Sequence, residues 1–225
     1  MKKRMTLFLA LLLSLFTLSV NAQDKGSSWS TGLDIYSSYV WRGTRFGSGP
    51  SMQPSVEFST GGFALGAWGS YSFSADKIEG TTLTHYMEAD LYADYGFDLG
   101  DNNSLTLTVT DYYFPESSWF DGNSHFFEPM VGLGLGNFSI SGAYMMGNGV
   151  KDTYIEAGVS VGSVNLTLGA GDNQYTSDGK FNVCNIGIST SKEAKVTDTF
   201  SLPVTGSVIL NPSTKILHIV VGISL

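Results

Sequence analysis

The sequence has one cysteine, few charged residues and no long apolar run beyond its first 20 positions. Lys and Arg number 12 and Asp and Glu 20, so charged residues make up 14% of the chain, about half the usual share. The shortage of basic residues excludes a basic nucleic-acid-binding protein, and a hydrophobic content of 42% excludes disorder. The single Cys184 excludes an intrachain disulfide and a Cys-x-x-Cys metal site. We expect Cys184 to be a small apolar residue, and we expect no metal and no cofactor.

The first 22 residues have the pattern of a secretory signal peptide. Basic residues at positions 2–4 precede an apolar stretch from Leu7 to Val20, and a cleavage site ends at Ala22. The apolar stretch is shorter than the ~20 residues that a membrane-spanning helix requires. We therefore expect cleavage after Ala22 and an exported domain, residues 23–225, with 9 basic and 20 acidic residues.

From Trp29 onward, apolar and polar residues alternate with a period of two, and no segment shows the 3.6-residue period of a helix with caps. The chain also has 27 Gly, 4 Trp, 11 Tyr and 14 Phe, a composition typical of strands and turns. We predict an all-β protein of about twelve strands, with ten or fourteen as alternatives. The predicted strands cover residues 29–41, 52–59, 63–73, 85–97, 104–114, 125–135, 138–146, 153–161, 164–171, 182–190, 199–210 and 215–225.

The two faces of these strands favour a transmembrane antiparallel β-barrel over a soluble β-sandwich. In the segment 63–73, Phe63, Leu65 and Tyr71 share one face, while the other face has Gly and Ser where a sandwich usually has Lys and Glu. Threading the strands up and down puts short turns at one end, longer loops at the other, and apolar-facing aromatic residues at two rims. The expected rims are Trp29, Phe58, Phe63, Phe97, Phe138 and Phe200, and Tyr39, Trp41, Tyr71, Phe73, Tyr113, Phe127 and Tyr144. We therefore predict one barrel domain in the outer membrane of a Gram-negative bacterium.

Two segments are less regular than the rest. Phe181 and Ile186 have opposite parities, so alternation alone does not assign the register of the strand at 182–190. The connection at 191–198 is long for the end of the barrel that has the short turns.

The segment from Gly32 to Gly43 ends in Tyr39-Val40-Trp41-Arg42-Gly43. It resembles the opening motif of a family of bacterial outer-membrane porins, the Gcw_chp or TorF-type proteins, in which an acidic strand ends in a Tyr-Val-Trp-Arg-Gly run. Asp34 provides the acidic residue, and Ser38 stands where the family usually has an acid. The resemblance implies an outer-membrane barrel that acts as a channel, and it brings no catalytic residues and no established substrate.

The face opposite the apolar one is rich in carboxylates. Glu88, Asp90 and Asp94 share one parity and form a column with spacings of ~6 to 7 Å. Because a buried unpaired charge costs several kcal/mol, this column requires water, cations or Arg42, which we place at the outer rim near acids such as Glu57. We predict a narrow channel for passive diffusion of small cationic or uncharged solutes. The residues predicted to line the lumen are Asp34, Arg42, Glu57, Glu88, Asp90, Asp94, Glu128, Glu156 and His218.

Two other functions stay open. A non-conducting structural or interaction barrel would use the same charged residues as an internal network, which a barrel of this size permits. A lipid-active outer-membrane enzyme would need His85, or His125 with Asp111, Asp121 and Ser124, at the outer rim. One sequence does not bring these side chains together, and we predict no enzyme activity.

The third outer loop carries four aromatic residues that either pack the loop or fold inward as a constriction. The loop aromatics are Phe114, Trp119, Phe120 and Phe126.

The expected partners are outer-membrane lipid, lipopolysaccharide and small solutes, and not nucleic acid. The sequence leaves the oligomeric state open.

Overall fold

The computed structural model of the chain describes residues 26–77 and 83–225. The predicted signal peptide, residues 1–22, lies outside the described residues. Within the two described ranges, no helix is long and apolar enough to cross a membrane. The strands are β1 (Ser27–Tyr36), β2 (Tyr39–Trp41), β3 (Thr44–Phe46), β4 (Ser48–Thr60), β5 (Phe63–Lys77), β6 (Leu83–Gly100), β7 (Asn103–Tyr113), β8 (His125–Leu135), β9 (Phe138–Gly147), β10 (Val150–Val161), β11 (Val164–Asn173), β12 (Gly179–Lys195), β13 (Ser201–Asn211) and β14 (Ile216–Ser224), with a short 3-10 turn at Gly122–Ser124.

Twelve antiparallel strands, β1 and β4 to β14, close into a single barrel. Each barrel strand pairs with its neighbour along the chain, and β1 closes the barrel by pairing with β14. The predicted all-β fold with a twelve-stranded antiparallel barrel is confirmed. Strands β2 and β3 pair only with each other among the described strands and form a separate hairpin between β1 and β4.

The two ends of the barrel differ in the length of their connections. At the end that we call the loop end, the connections include residues 114–124, residues 174–178 and the hairpin of β2 and β3. The opposite end, which we call the turn end, has short connections. A short connection between antiparallel strands is a tight turn, and Gly61 and Gly136 adopt the positive φ that such turns favour. Its two-residue turns are residues 61–62, 101–102, 136–137 and 162–163.

The apolar face of the strands points outward and the polar face points into the barrel. On β6, Leu91 and Tyr95 are 45% and 46% exposed on the outside, whereas Glu88 and Asp90 are buried. Side chains alternate between the two faces of each strand, so aromatic residues on the apolar side face outward. These outward aromatic residues lie near both ends of the barrel. Those near the turn end are Trp29, Phe63, Phe97, Phe138 and Phe200, and those near the loop end include Phe73, Phe127 and Tyr144.

Strand β12 contains a bulge that resolves its register. Gly169 pairs with Asn185 and Ala170 pairs with Val183, so Cys184 is an extra residue without a direct partner on β11. The bulge shifts the parity by one, and Phe181 and Ile186 therefore both face outward. Beyond it, β12 and β13 keep pairing as far as Lys195 and Ser201, so most of the long connection expected at 191–198 is strand.

The prediction of one continuous strand over residues 29–41 is wrong beyond Tyr36. The chain bends at Ser37 and Ser38, and Arg42 and Gly43 adopt positive φ values of 50° and 79°. Two successive positive φ values form a tight hairpin turn, which pairs Trp41 with Thr44. Tyr39 and Trp41 consequently lie inside the barrel, and the prediction that both face outward at the second rim is also wrong.

Candidate functional site

Residues 39–46, which we call the plug hairpin, fold into the lumen at the loop end. Tyr39 packs against Trp68 of β5, with 5.5 Å between ring centroids, and against Tyr86 of β6. Trp41 packs against Tyr112 of β7 at 5.6 Å, and its edge meets Tyr175 in the connection from β11 to β12 at 5.7 Å. The hairpin therefore contacts widely separated parts of the barrel wall.

Arg42 at the tip of the plug hairpin forms a buried ion pair. Its Nη1 and Nη2 donate to Oε2 and Oε1 of Glu128 at 2.6 and 2.8 Å, and Nη1 also donates to the Tyr175 hydroxyl at 2.8 Å. The side chains of Arg42 and Glu128 are only 9% and 3% exposed. The guanidinium carbon lies 4.3 Å from the ring centroids of both Trp41 and Tyr154. This bidentate, aromatic-flanked geometry is the one that suits arginine and not lysine.

Burial is the largest single effect and lowers the pKa of Arg42, but the hydrogen bonds to Glu128 and the electrostatic attraction of Tyr175, Glu128 and Tyr112 together outweigh burial and hold this pKa above its ordinary value. The guanidinium is therefore charged at every physiological pH. Arg42 was expected near Glu57 on a neighbouring strand, and that expectation is wrong. Glu57 lies farther toward the turn end and accepts a hydrogen bond from the Tyr92 hydroxyl at 2.9 Å.

The backbone of the hairpin tip is also anchored. The Asn211 side chain, which is fully buried, donates to the carbonyl oxygens of Gly43 at 3.3 Å and Tyr175 at 3.0 Å. A Cβ atom at Gly43 would overlap the carbonyl oxygen of Cys184, so only glycine fits this approach to β12. Cys184 itself is 0% exposed and forms a buried cluster with Tyr154 and Tyr175. Trp41 packs against this cluster.

Two further buried carboxylates flank the hairpin. The Tyr86 hydroxyl donates to Oε2 of Glu88 at 2.7 Å. Asp90 lies opposite Trp68 and Tyr112 on the adjacent strands, and its Oδ1 atom is buried without a hydrogen-bond partner in the described structure. The plug hairpin, β6 and β8 thus bring three acidic side chains, Glu88, Asp90 and Glu128, close to a single basic one, Arg42.

The other predicted lumen residues lie around the wall. Glu156 accepts hydrogen bonds from the Tyr154 hydroxyl at 2.6 Å and from the Asn185 amide at 3.1 Å. By register, Asp34 lies opposite Gln53 and Ser224, Asp94 lies opposite Ala64 and Thr108, and His218 lies opposite Ile209.

The loop end contains a half-open cavity of about 510 Å³, which we call the loop-end cavity. Trp41 and Phe46 of the plug hairpin form one side, and Glu88 and Asp152 provide acidic groups. Three of the four loop aromatics take one of the two expected roles, and Phe120 takes neither. Phe114 and Phe126 line the cavity, whereas Trp119 packs on Tyr113 and His125, and Phe120 is 95% exposed.

His125 is held at the loop-end rim through both ring nitrogens. Nδ1 lies 2.9 Å from the Asp111 carboxylate, and Nε2 lies 2.8 Å from the carbonyl oxygen of Trp119. Because both neighbours are acceptors, the geometry suits a doubly protonated ring and leaves no nitrogen to activate Ser124. His85 directs Nδ1 to the Ser72 carbonyl at 2.9 Å and stacks on Tyr71.

Sequence reasoning missed several residues that build this site. From the sequence, Tyr175 falls in a polar loop and Asn211 in a short turn, and nothing in the pattern distinguishes Asp152 from other polar residues. The signal that could have revealed the hairpin is Arg42-Gly43, since Gly after a polar residue between two short β segments is typical of a tight hairpin turn.

Comparison with known proteins identifies the family of the chain. No curated protein matches the sequence. The model of a family described as bacterial protein of unknown function (Gcw_chp) matches residues 21–197, a range that includes the plug hairpin, Glu128 and Tyr175. Since this range covers most of the chain, the protein belongs to the Gcw_chp family.

Proposed function

We propose that this protein is an outer-membrane barrel through which small cations and uncharged polar solutes diffuse, and that the plug hairpin restricts the passage. The outward apolar surface supports the membrane location. Ile219 and Val131 are 70% and 50% exposed at mid-strand positions, where a soluble barrel would normally carry polar side chains. In this proposal lipid and lipopolysaccharide surround the apolar face, and residues 1–22 direct export and are removed.

Space for solutes is provided by small inward residues below the plug hairpin. Thr106, Gly132 and Ser141 lie side by side on β7, β8 and β9, and each is partly exposed. Twelve strands spaced ~4.8 Å apart and tilted by ~40° give a backbone radius of about 12 Å. In this proposal such small side chains leave space for a solute on this side of the lumen, and the plug hairpin restricts the path.

The observation that carries the proposal is the excess of carboxylates on the inward face. Arg42 compensates Glu128, but Glu57, Glu88 and Asp90 form no ion pair with a basic side chain in the described ranges. Fixed negative charge raises the local concentration of cations and repels anions. A cation-preferring channel follows from this excess.

The test is conductance of the purified, refolded mature protein in planar bilayers, with reversal potentials measured in a KCl gradient. Empty detergent is the blank, and heat-modifiable gel mobility checks folding. We expect discrete, cation-selective steps, and we expect the triple variant with Glu88→Gln, Asp90→Asn and Asp94→Asn to lose most of the selectivity. Glu116→Gln in the exposed outer loop is the matched control. Unchanged selectivity in the triple variant would contradict the role of the inward carboxylates.

The plug hairpin favours one alternative, a non-conducting structural barrel, because it occupies the lumen. Replacing residues 38–47 by Gly-Asn-Gly separates the two functions. If the wild type is silent and this variant conducts, the hairpin closes the channel; if both folded proteins are silent, the structural barrel is correct. We propose no catalytic role, since both nitrogens of His125 are engaged in hydrogen bonds.

A further inference from the structure

We propose that the loop-end cavity binds a small organic cation of the substituted-ammonium class. The inference deepens the proposed channel function by naming a solute class, and it rests on that function only for the solute's passage, not for its binding. The cavity volume of about 510 Å³ lies within the ~300–1,000 Å³ range of small-molecule sites. Because the cavity is open to the loop end, a solute from that end reaches it before it passes the plug hairpin.

Aromatic rings form most of the apolar wall. Trp41 and Phe46 come from the plug hairpin, Tyr86 and Tyr112 from β6 and β7, and Phe126 from β8. Ring faces attract cations, most strongly when the cation is poorly hydrated, as a substituted ammonium is. Several rings around one cavity therefore favour such an ion over a small, strongly hydrated metal ion.

The acidic residues of the cavity also favour a cation as its ligand. Glu88 and Asp152 line the cavity and are 6% and 4% exposed, and neither forms an ion pair with a basic side chain within the described residues. The nearby Asp90 adds a carboxylate oxygen without a hydrogen-bond partner. Arg42 does not neutralise them, because Glu128 and Tyr175 take its hydrogen bonds. Buried carboxylates in this state either take up a proton or pair with a cation, and a cation in the cavity stabilises their charged form.

Lys151 is the one basic residue among the described residues that line the cavity, and it is solvent-exposed. It works against cation binding by like-charge repulsion. Anions are disfavoured by Glu88 and Asp152. A neutral sugar would stack on the rings but would leave both carboxylates without a counter-charge, so the cavity suits a cation better than a sugar.

The test is equilibrium binding to the refolded mature protein in detergent. Binding is measured by isothermal titration calorimetry and by intrinsic tryptophan fluorescence, to which Trp41 in the cavity wall contributes. The probes are choline and 3,3-dimethylbutan-1-ol, which has the same shape without the charge. We expect saturable choline binding at least about tenfold tighter than that of the neutral isostere, a difference of about 1.4 kcal/mol. Glucose is the third probe.

Variants then locate the site. Asp152→Asn and Glu88→Gln should each weaken choline binding several-fold, and Lys151→Gln should strengthen it. Asp101→Asn at the turn end is the matched control, since Asp101 is exposed and already adopts a positive φ that asparagine tolerates. Heat-modifiable gel mobility verifies that each variant is folded. If a variant does not fold, the comparison of choline with its neutral isostere on the wild type still tests whether the cavity prefers a cation.

Equal affinity for choline and the neutral isostere, absence of choline binding, or binding of glucose in place of choline would each overturn the inference. The outcome of the choline-binding test is independent of whether the protein conducts ions. Cation-selective conductance without choline binding refutes only this inference, whereas choline binding by a silent barrel refutes only the channel.

Discussion

Glu128→Gln tests whether the buried ion pair holds the plug hairpin in the lumen. The change keeps the size of the side chain but removes the charge that receives two of the three hydrogen bonds of the Arg42 guanidinium. The protein contains its own reporter, because Cys184 is its single cysteine and is 0% exposed beneath the hairpin. When Trp41 and Gly43 leave the lumen, the Cys184 thiol becomes accessible to reagents.

The expected rise in the labelling rate of Cys184 follows from the strength of the Arg42–Glu128 ion pair. A hydrogen bond to a charged group contributes about 1.5–3 kcal/mol, and the glutamine side chain of the variant would retain one neutral acceptor. The loss of about 1.5–3 kcal/mol increases the fraction of molecules with an open hairpin by about 10- to 150-fold. The labelling rate of Cys184 should rise by the same factor when the hairpin recloses faster than the thiol reacts.

The assay is the rate of reaction of Cys184 with a small methanethiosulfonate reagent, followed by mass spectrometry on folded protein in detergent. Glu57→Gln is the control, because it removes the hydrogen bond from Tyr92 but lies toward the turn end, away from the hairpin. An unchanged rate in Glu128→Gln would refute the role of the ion pair. An equal rise in both variants would show general loosening of the barrel and would refute it as well.

Two further predictions concern the fit of the hairpin tip and the outward face. Gly43→Ala should raise the labelling of Cys184 at least about fivefold, because about 1 kcal/mol is lost to the positive φ and more to the overlap with the Cys184 carbonyl. Gly100→Ala has the same φ strain in open space, so an equal effect there would contradict the explanation. Val109→Lys, on the outward face of β7, should reduce the stability of the barrel in lipid vesicles by about 2–4 kcal/mol in urea titrations. Thr108→Lys on the inward face should cost much less, and equal losses would contradict membrane insertion.

Much of the barrel could be predicted because its signals are local. Side chains alternate between faces along any strand, so Leu91 and Tyr95 fall on one side and Glu88 and Asp90 on the other without knowledge of the neighbours. Short turns then force consecutive strands to pair. The same local rule failed at Cys184, because an extra residue in a strand depends on the register of the partner strand.

The candidate site was less predictable. By parity alone, Tyr39 and Trp41 belong to the outward set, and only the turn at Arg42 and Gly43 directs them inward. The loop-end cavity was equally hidden. It joins the plug hairpin to residues such as Phe126 and Asp152, which have no relation along the chain.

The sequence by itself determined the all-β fold and the division into an apolar and an acidic face, since these depend on residue type and a period of two. It favoured twelve strands, with ten and fourteen as alternatives, and closure of the barrel settled the number. Only the tertiary structure decided that Arg42 would meet Glu128 and Tyr175, which lie 86 and 133 residues away along the chain. The physical reason is that barrel closure sets which side chains share the lumen. Closure also decides where a buried guanidinium finds its acceptors.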